Sequence, residues 1–444
     1  MRLLLVAAVS LWPLVALAQK PADGERPAIP RQILDPKFPA KPPVPAAELE
    51  RRHEAERALA VYEAGNYPEA ARLGLAELAS APGNHEMRLA VANSLAWTAR
   101  YDPAVEQYRV LLGTSYDSQA RIGIANALRW RGQPDLAEPY YREVLAREPG
   151  NEEARNGMAL LARDLRPALT LRLTRAADNQ NVSRNELSLG YRRWSAERDW
   201  RFEVGAFGGR FESPQGSWSP RGIQASAWGT RLPLSPRVEA SAVDNGAGGT
   251  RGFGTLQLEP IRDRLRIRFG RVDWARLAFT GSALADGLTA SVIGAFGETE
   301  TRIGTVRGRI DHYGISDGNT LIDGELQLTP LWQPLPYKLV WSGGVYGRGA
   351  EREDPRYWSP RPTYGVAFLG VQRGWYLERS DVTASVRHGF AFTETARNSW
   401  SAALSARYWV RATLALGVEA WAVQAPRPGP YNLHQVGAFL QQLL

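Results

Sequence analysis

The sequence changes rhythm near residue 166, and that change limits the folds open to this chain more than any other feature. Up to Leu165 apolar residues recur at helical spacing; from Leu169 to the last residue they alternate with polar ones, and turn residues separate the runs. A period near 3.6 gives a helix one apolar stripe, whereas a period of two gives a strand one apolar face. The chain therefore reads as a helical block followed by a long series of strands, each apolar on one side only.

The helical block is internally repetitive. Gly65-Asn66-Tyr67-Pro68-Glu69-Ala70, Arg100-Tyr101-Asp102-Pro103-Ala104 and Gly132-Gln133-Pro134-Asp135-Leu136-Ala137 bring Ala70, Ala104 and Ala137 back at intervals of 34 and 33 residues, and Pro82 and Pro149 lie 67 apart. This is the tetratricopeptide period, in which each repeat is a helix pair. Small residues let the paired helices approach, and aromatics such as Tyr108 and Tyr141 fill the space between neighbouring pairs. Residues 48–166 are thus expected to form a three-repeat α-solenoid, capped by a helix from about Glu152 to Arg163. A solenoid presents a concave surface to a peptide, a partner protein or a polymer. Trp97, Arg100, Arg129 and Trp130 are its candidate groove residues, set against the plainer reading of a rigid spacer.

In the second half Leu169, Leu171 and Leu173 alternate with Thr170, Arg172 and Thr174, and Leu265, Ile267 and Phe269 oppose Arg264, Arg266 and Arg268. About sixteen such segments fill residues 167–444, the spacing expected of ~10-residue membrane strands and their connections. An even number closes a transmembrane antiparallel β-barrel with both ends on one side. The fold class is therefore multi-domain α + β, a solenoid followed by a barrel. Trp194, Trp200, Trp332, Tyr337, Trp341, Tyr408 and Trp409 fall near segment ends, where barrels carry aromatic girdles. A soluble β-sandwich alternates too, but it normally mixes in helices or long polar loops.

The chain has no cysteine, which removes disulfides, thiolate metal sites and lipid attachment through an N-terminal cysteine. Met1 and Arg2, an apolar run from Leu3 to Leu17, and Ala16-Leu17-Ala18 before Gln19 read as a signal peptide over residues 1–18. A proline-rich tether over 19–47 follows, a composition that extends rather than packs. No later stretch reaches the ~18 to 20 apolar residues of a helical span, and a mean hydropathy of -0.33 suits a barrel as well as a soluble protein.

The net charge of +8 is uneven: residues 167–444 hold 33 Lys plus Arg against 25 Asp plus Glu, so the whole excess lies in the strand region. These arginines are dispersed along alternating strands rather than clustered, which argues against nucleic acid as a partner. On the polar faces Arg264, Arg266, Arg268, Arg307, Arg309, Asp323, Glu325, Arg387 and Arg407 are candidates for a lumen lining. They either pair across strands or set a positive field for an anionic or strongly hydrated solute.

Catalytic chemistry finds no foothold. His53 and His85 lie in the repeats, and His312 and His434 stand alone in strand pattern, where they are expected in the lumen or at the membrane interface. Asp381, Ser385 and His388 cannot form a triad, because on a strand His388 faces away from the other two. No metal-binding, nucleophile-elbow or phosphate-loop motif occurs, so no catalytic residue, cofactor or metal is expected.

Taken together, Tyr101-Asp102-Pro103-Ala104-Val105-Glu106-Gln107-Tyr108, the stretch Gly132 to Ala137, and Tyr357-Trp358-Ser359-Pro360-Arg361-Pro362-Thr363-Tyr364 carry a resemblance. The chain resembles the outer-membrane exopolysaccharide export proteins of the cellulose and poly-N-acetylglucosamine type, over nearly the whole mature chain. The resemblance implies a non-enzymatic barrel in outer-membrane lipid that passes a polysaccharide, with periplasmic repeats that dock proteins of a synthesis and secretion complex or guide the polymer. Trp274, Trp358 and Trp375 would then be candidate stacking residues for sugar rings. The alternative is a scaffold or surface receptor whose barrel is plugged.

Overall fold

The helical phrases of the sequence become antiparallel helix pairs. The computed structural model describes residues 46–444, apart from 99, 263, 302, 334, 336–338, 362, 378, 393–397 and 428. The expected signal peptide and all but the last two residues of the expected tether lie outside the described residues. Three pairs, α1 (Ala46–Glu63) with α2 (Tyr67–Ser80), α3 (His85–Trp97) with α4 (Tyr101–Val110) and α5 (Asp117–Trp130) with α6 (Pro134–Arg147), are followed by a last helix, α7 (Glu152–Leu165). Pro68 and Pro134 occupy the first turns of α2 and α6, where no intrahelical N–H is lost. Asn84 and Asn151 cap α3 and α7, their side chains accepting from the Met87 and Ala154 backbone N–H at 3.0 Å.

One contact recurs between repeats and fixes their phase. The Tyr108 hydroxyl donates to Asn93 at 2.6 Å, and one repeat on, the Tyr141 hydroxyl donates to Asn126 at 2.5 Å. Each tyrosine ring lies flat against a glycine of the next helix: a Cβ on Gly123 would sit 2.3 Å from the Tyr108 ring, and one on Gly157 2.3 Å from the Tyr141 ring. Burial pushes both hydroxyls up, Tyr141 to about 12, so both stay neutral donors. Gly123→Ala is therefore expected to cost the helical domain about 1–3 kcal/mol through overpacking. Thermal unfolding followed by circular dichroism at 222 nm checks this, and an unchanged helical transition would refute it.

Apart from two short helices between the eighth and the ninth, the chain from Ala168 is built of strands. They are β1 (Ala168–Asp178), β2 (Ser183–Trp194), β3 (Arg201–Ser213), the short β4 (Gly216–Trp218), β5 (Arg221–Trp228), β6 (Arg237–Asp244), β7 (Thr250–Ile261) and β8 (Leu265–Val272). After two short helices, α8 (Trp274–Ala278) and α9 (Gly281–Ala285), come β9 (Ala290–Thr301), β10 (Gly304–Ile315), β11 (Thr320–Pro330), β12 (Val340–Ala350) and β13 (Tyr364–Tyr376). β14 (Ser380–Ala391), β15 (Asn398–Arg411), β16 (Leu414–Arg427) and β17 (Gly429–Leu443) complete the chain. Each strand pairs antiparallel with its neighbours, β4 only extends the end of β3, and β1 pairs with β17 from Ala168↔Leu443 to Asp178↔Leu433. The sheet is thus a closed barrel of 16 strands, and closure leaves no edge with unpaired backbone groups.

Register carries the alternation around the ring. Leu171 lies opposite both Leu189 and Leu440, and all three are exposed on the outer face. Ile223, Ile293, Ile322, Leu369 and Val418 continue this exposed apolar surface, which is the kind a bilayer covers. Both ends of the barrel chain, Ala168 and Leu443, lie at the helical end. The longest connection, residues 273–289, lies at the opposite end and carries α8 and α9.

At the helical end Trp200 stacks with Phe202, and the exposed Trp332 meets Trp341 edge to face at 6.1 Å. With the exposed Tyr408 they form an outward aromatic band. Two expected girdle members do not join it. Trp194 and Trp409 are buried and share the inward parity of Arg192 and Arg407, because they cover the barrel floor beneath the helices. Tyr337 lies outside the described residues.

Candidate functional site: a charged lumen between the helical layer and an inward-folded loop

The helices rest on the barrel through acidic side chains. Asp135, at the start of α6, is fully buried and accepts from the Thr230 hydroxyl at 3.0 Å and the Arg231 guanidinium at 3.4 Å, both in the β5–β6 turn. Glu138 pairs with Arg198 of the β2–β3 turn, and Glu106 with Arg264 at 3.3 Å. From α7, the Arg163 guanidinium lies 4.3 Å from the centre of the Trp409 ring. Burial pushes the Asp135 and Asp164 carboxyls above the ordinary aspartate range.

This docking relocates one expected lumen residue. Arg264 belongs to no strand: the β7–β8 register shifts between Leu258 and Ile261, β8 begins at Leu265, and the guanidinium turns toward Glu106.

At the other end, residues 273–289 fold into the barrel. Trp274 is 3 % exposed, its ring 5.0 Å from Tyr313 and 5.7 Å from Tyr357; Phe279 lies 5.7 Å from Phe211. Arg276 pairs with Glu186 and stacks 4.0 Å over Phe207. Tyr313, Phe211, Glu186 and Phe207 all occupy inward positions of their strands, so the loop lies within the ring. A second loop, residues 351–363, clamps it. Arg356 reaches Asp286 at 2.9 Å and Asp317 at 2.8 Å, and the Tyr357 hydroxyl donates to Asp317. Arg356 also holds the Asp354 carboxyl down to about 2.

Between the loop and the helical end lies a cavity of about 1110 Å³. Its lining comes from β1–β3, β5–β8 and β14–β17, while charged pairs and aromatic rings fill the remaining side. Arg309 lies 2.8 Å from Asp311 and 2.7 Å from Asp323, and Arg268 also reaches Asp311 at 2.7 Å. Arg387 pairs with Glu325 at 2.9 Å, Arg307 with Glu298 at 2.8 Å, and Arg407 with Asp381 at 3.0 Å. Arg266 stacks 4.1 Å over Phe296. Apart from Arg264, then, the nine sequence candidates project inward, and all of these except Arg266 are held in ion pairs.

The expected stacking tryptophans do not line the cavity. Trp274 is packed in the loop core, Trp358 lies edge to face on Tyr364 at 5.0 Å, and Trp375 faces outward beside Arg373. The aromatic rings on the cavity wall are Phe207, Phe253, Phe279, Trp421 and Phe439. Trp421 was legible: it has the parity of Glu419, two residues before it.

On the helical domain the four groove candidates divide. Trp97 and Trp130 are exposed, Trp97 stacking on Tyr62 at 5.9 Å with Tyr67 beside it at 4.6 Å. Arg129 is half-buried and reaches Asp164 at 3.5 Å, and Arg100 is half-buried at the start of α4.

Asp381 and Ser385 project into the barrel, whereas His388 shares the outward face of Val386 and Phe390. His312 and His434 also face outward, opposite Ile322 and Ala422 respectively, and so neither reaches the lumen.

No protein-family model and no curated protein matches this sequence. Among solved structures, a bacterial polysaccharide outer membrane secretin is similar at 13 % identity and a TM-score of 0.49, over 63 % of this chain and 99 % of that one. The Pseudomonas aeruginosa protein OccK5 (OpdH) is similar at 9 % identity and a TM-score of 0.35, over 63 % and 98 %. The second TPR domain of human RPAP3, solved with an HSP70 peptide, is similar at 20 % identity and a TM-score of 0.24, over 26 % and 97 %.

Proposed function

We propose that this protein is a non-enzymatic outer-membrane channel that exports a polysaccharide or assists its export, with its helical repeats on the periplasmic side. The observation that carries this reading is the charged and aromatic cavity ringed by a barrel whose exterior is apolar. A sugar polymer crosses such a lumen because polar walls and aromatic faces bind it weakly at many sites, well enough to enter and loosely enough to leave. Placing both barrel termini and the docked repeats in the periplasm, with the long loop outside, follows the usual orientation of bacterial barrels. The exposed Trp97 and Trp130 give the repeats aromatic faces for a polymer or a partner protein.

The inward loop favours a second reading, a plugged barrel that anchors the repeats as a scaffold or receptor. Planar-bilayer conductance separates the two. The wild-type chain is compared with a variant whose residues 273–289 are replaced by a short glycine-serine turn. The channel reading expects a stable current that rises severalfold in the loop variant. No current from either protein would overturn it in favour of the scaffold.

A further inference from the structure

One tryptophan on the cavity wall is left uncovered. Trp421, at the middle of β16, faces inward and is 37 % exposed, and among the described residues no ring or guanidinium lies over it. Other inward tryptophans are shielded: Trp194 is buried, Trp409 lies under Arg163, Trp228 has the Arg201 guanidinium 4.8 Å from its ring centre, and Trp274 packs against Tyr313 and Tyr357. The neighbours of Trp421 are small or polar. It stands opposite Gln435 of β17 on one side and Ala403 of β15 on the other, and Ala403 is itself opposite Ser385 of β14. One step toward the helical end, Thr383 stands opposite Ser405 and Ser405 opposite Glu419. Directly opposed residues have Cβ atoms about 5 Å apart and diagonal ones about 7 Å, so Gln435 and Ser405 flank the indole. Among the described residues the side chains of Thr383, Ser385, Ser405 and Gln435 make no hydrogen bond, and with Trp421 they line a recess of about 250 Å³ in the lumen wall. Glu419, the carboxylate beside them, is already paired with Arg172.

We propose that Trp421 is the platform of a sugar subsite on the lumen wall, and that the subsite takes a neutral pyranose residue of the polymer. The proposal rests on the channel reading above and names its substrate class. The C–H face of a pyranose lies on the negative face of an indole, which gives a large apolar contact without an ion pair. Sugar hydroxyls both donate and accept, and so do the hydroxyls of Thr383, Ser385 and Ser405 and the amide of Gln435. A guanidinium only donates and an ionised carboxylate only accepts, so this uncharged patch suits a neutral sugar better than the paired charges elsewhere on the wall do. One aromatic face and a few hydrogen bonds also hold a ring loosely enough to release it, as passage requires.

The test is blockade of the planar-bilayer current by cellohexaose, measured on the full chain and on the variants Trp421→Ala, Trp421→Phe and Gln435→Ala. Heat-modifiable gel migration confirms that each barrel is folded. If current flows only when residues 273–289 are replaced, the same substitutions are made in that background. Cellohexaose is expected to block Trp421→Ala at about tenfold higher concentration than wild type, with Trp421→Phe in between and Gln435→Ala raised severalfold. Hexagalacturonate should block wild type less tightly than cellohexaose does. A conducting channel that cellohexaose does not block, that Trp421→Ala leaves equally sensitive, or that hexagalacturonate blocks as tightly or more so overturns this inference and leaves the channel reading standing. No current from wild type or the loop variant removes both.

Discussion

Asp135→Ala is expected to release the helical domain from the barrel while each part keeps its own fold. The carboxylate is fully buried against Thr230 and the partly exposed Arg231; deleting it strands the buried Thr230 hydroxyl, while the guanidinium keeps the Asp135 and Glu197 carbonyls as acceptors. Losing such a buried acceptor costs about 2 kcal/mol, or about thirtyfold in a docking equilibrium. Hydrogen exchange across the 229–236 turn reads the release directly. Protection equal to wild type would show that the Glu138–Arg198 and Glu106–Arg264 pairs hold the layer without it. Asp135→Asn, which keeps an acceptor for Thr230, should lose much less.

The same residue predicts the sign of a pH effect. Burial raises the docked carboxyl above its ordinary pKa, so the docked state holds a proton that the released state gives up. That contribution to docking is fully present below the ordinary aspartate pKa of ~3.9 and is lost as the pH rises through the raised value. Turn protection in wild type relative to Asp135→Asn should therefore grow toward acid. A difference independent of pH would mean that the carboxyl does not titrate at the interface.

Trp274→Ala is expected to free the inward loop. Trp274 contacts Tyr313 on the barrel wall and Tyr357 on the clamping loop, and truncating a buried tryptophan costs about 3–5 kcal/mol. Trypsin cleavage at Arg276 and a larger single-channel conductance are the expected signs. A protected loop with unchanged conductance would show that the Arg276–Glu186 pair, the Phe279–Phe211 contact and the Arg356–Asp286 pair keep it inside without Trp274.

The parts of this architecture that were legible are those encoded by neighbouring residues. Leu187 and Leu189 declared the outer face of β2 by parity, and the intervals between Ala70, Ala104 and Ala137 marked the helix pairs. The misread residues fail for one shared reason. Trp409 and Trp194 sit near strand ends as girdle residues do, but the helices above them convert that rim into a buried floor. Arg264 continues an alternating run by position, yet the run ends one residue short of it. Trp274 looked like a sugar platform until the fold of its loop buried it.

The sequence by itself determined the helical repeats, the closed sheet and the apolar exterior, because a period of 3.6 or of two assigns each side chain a face from its nearest neighbours alone. Tertiary structure decided which arginines are neutralised, how the repeats sit on the barrel, and whether the lumen is narrowed. Those outcomes depend on partners far apart in the chain, such as Arg172 with Glu419 and Asp135 with Thr230, 247 and 95 residues away. Parity shows that a charge points inward; only the closed ring shows what it meets there.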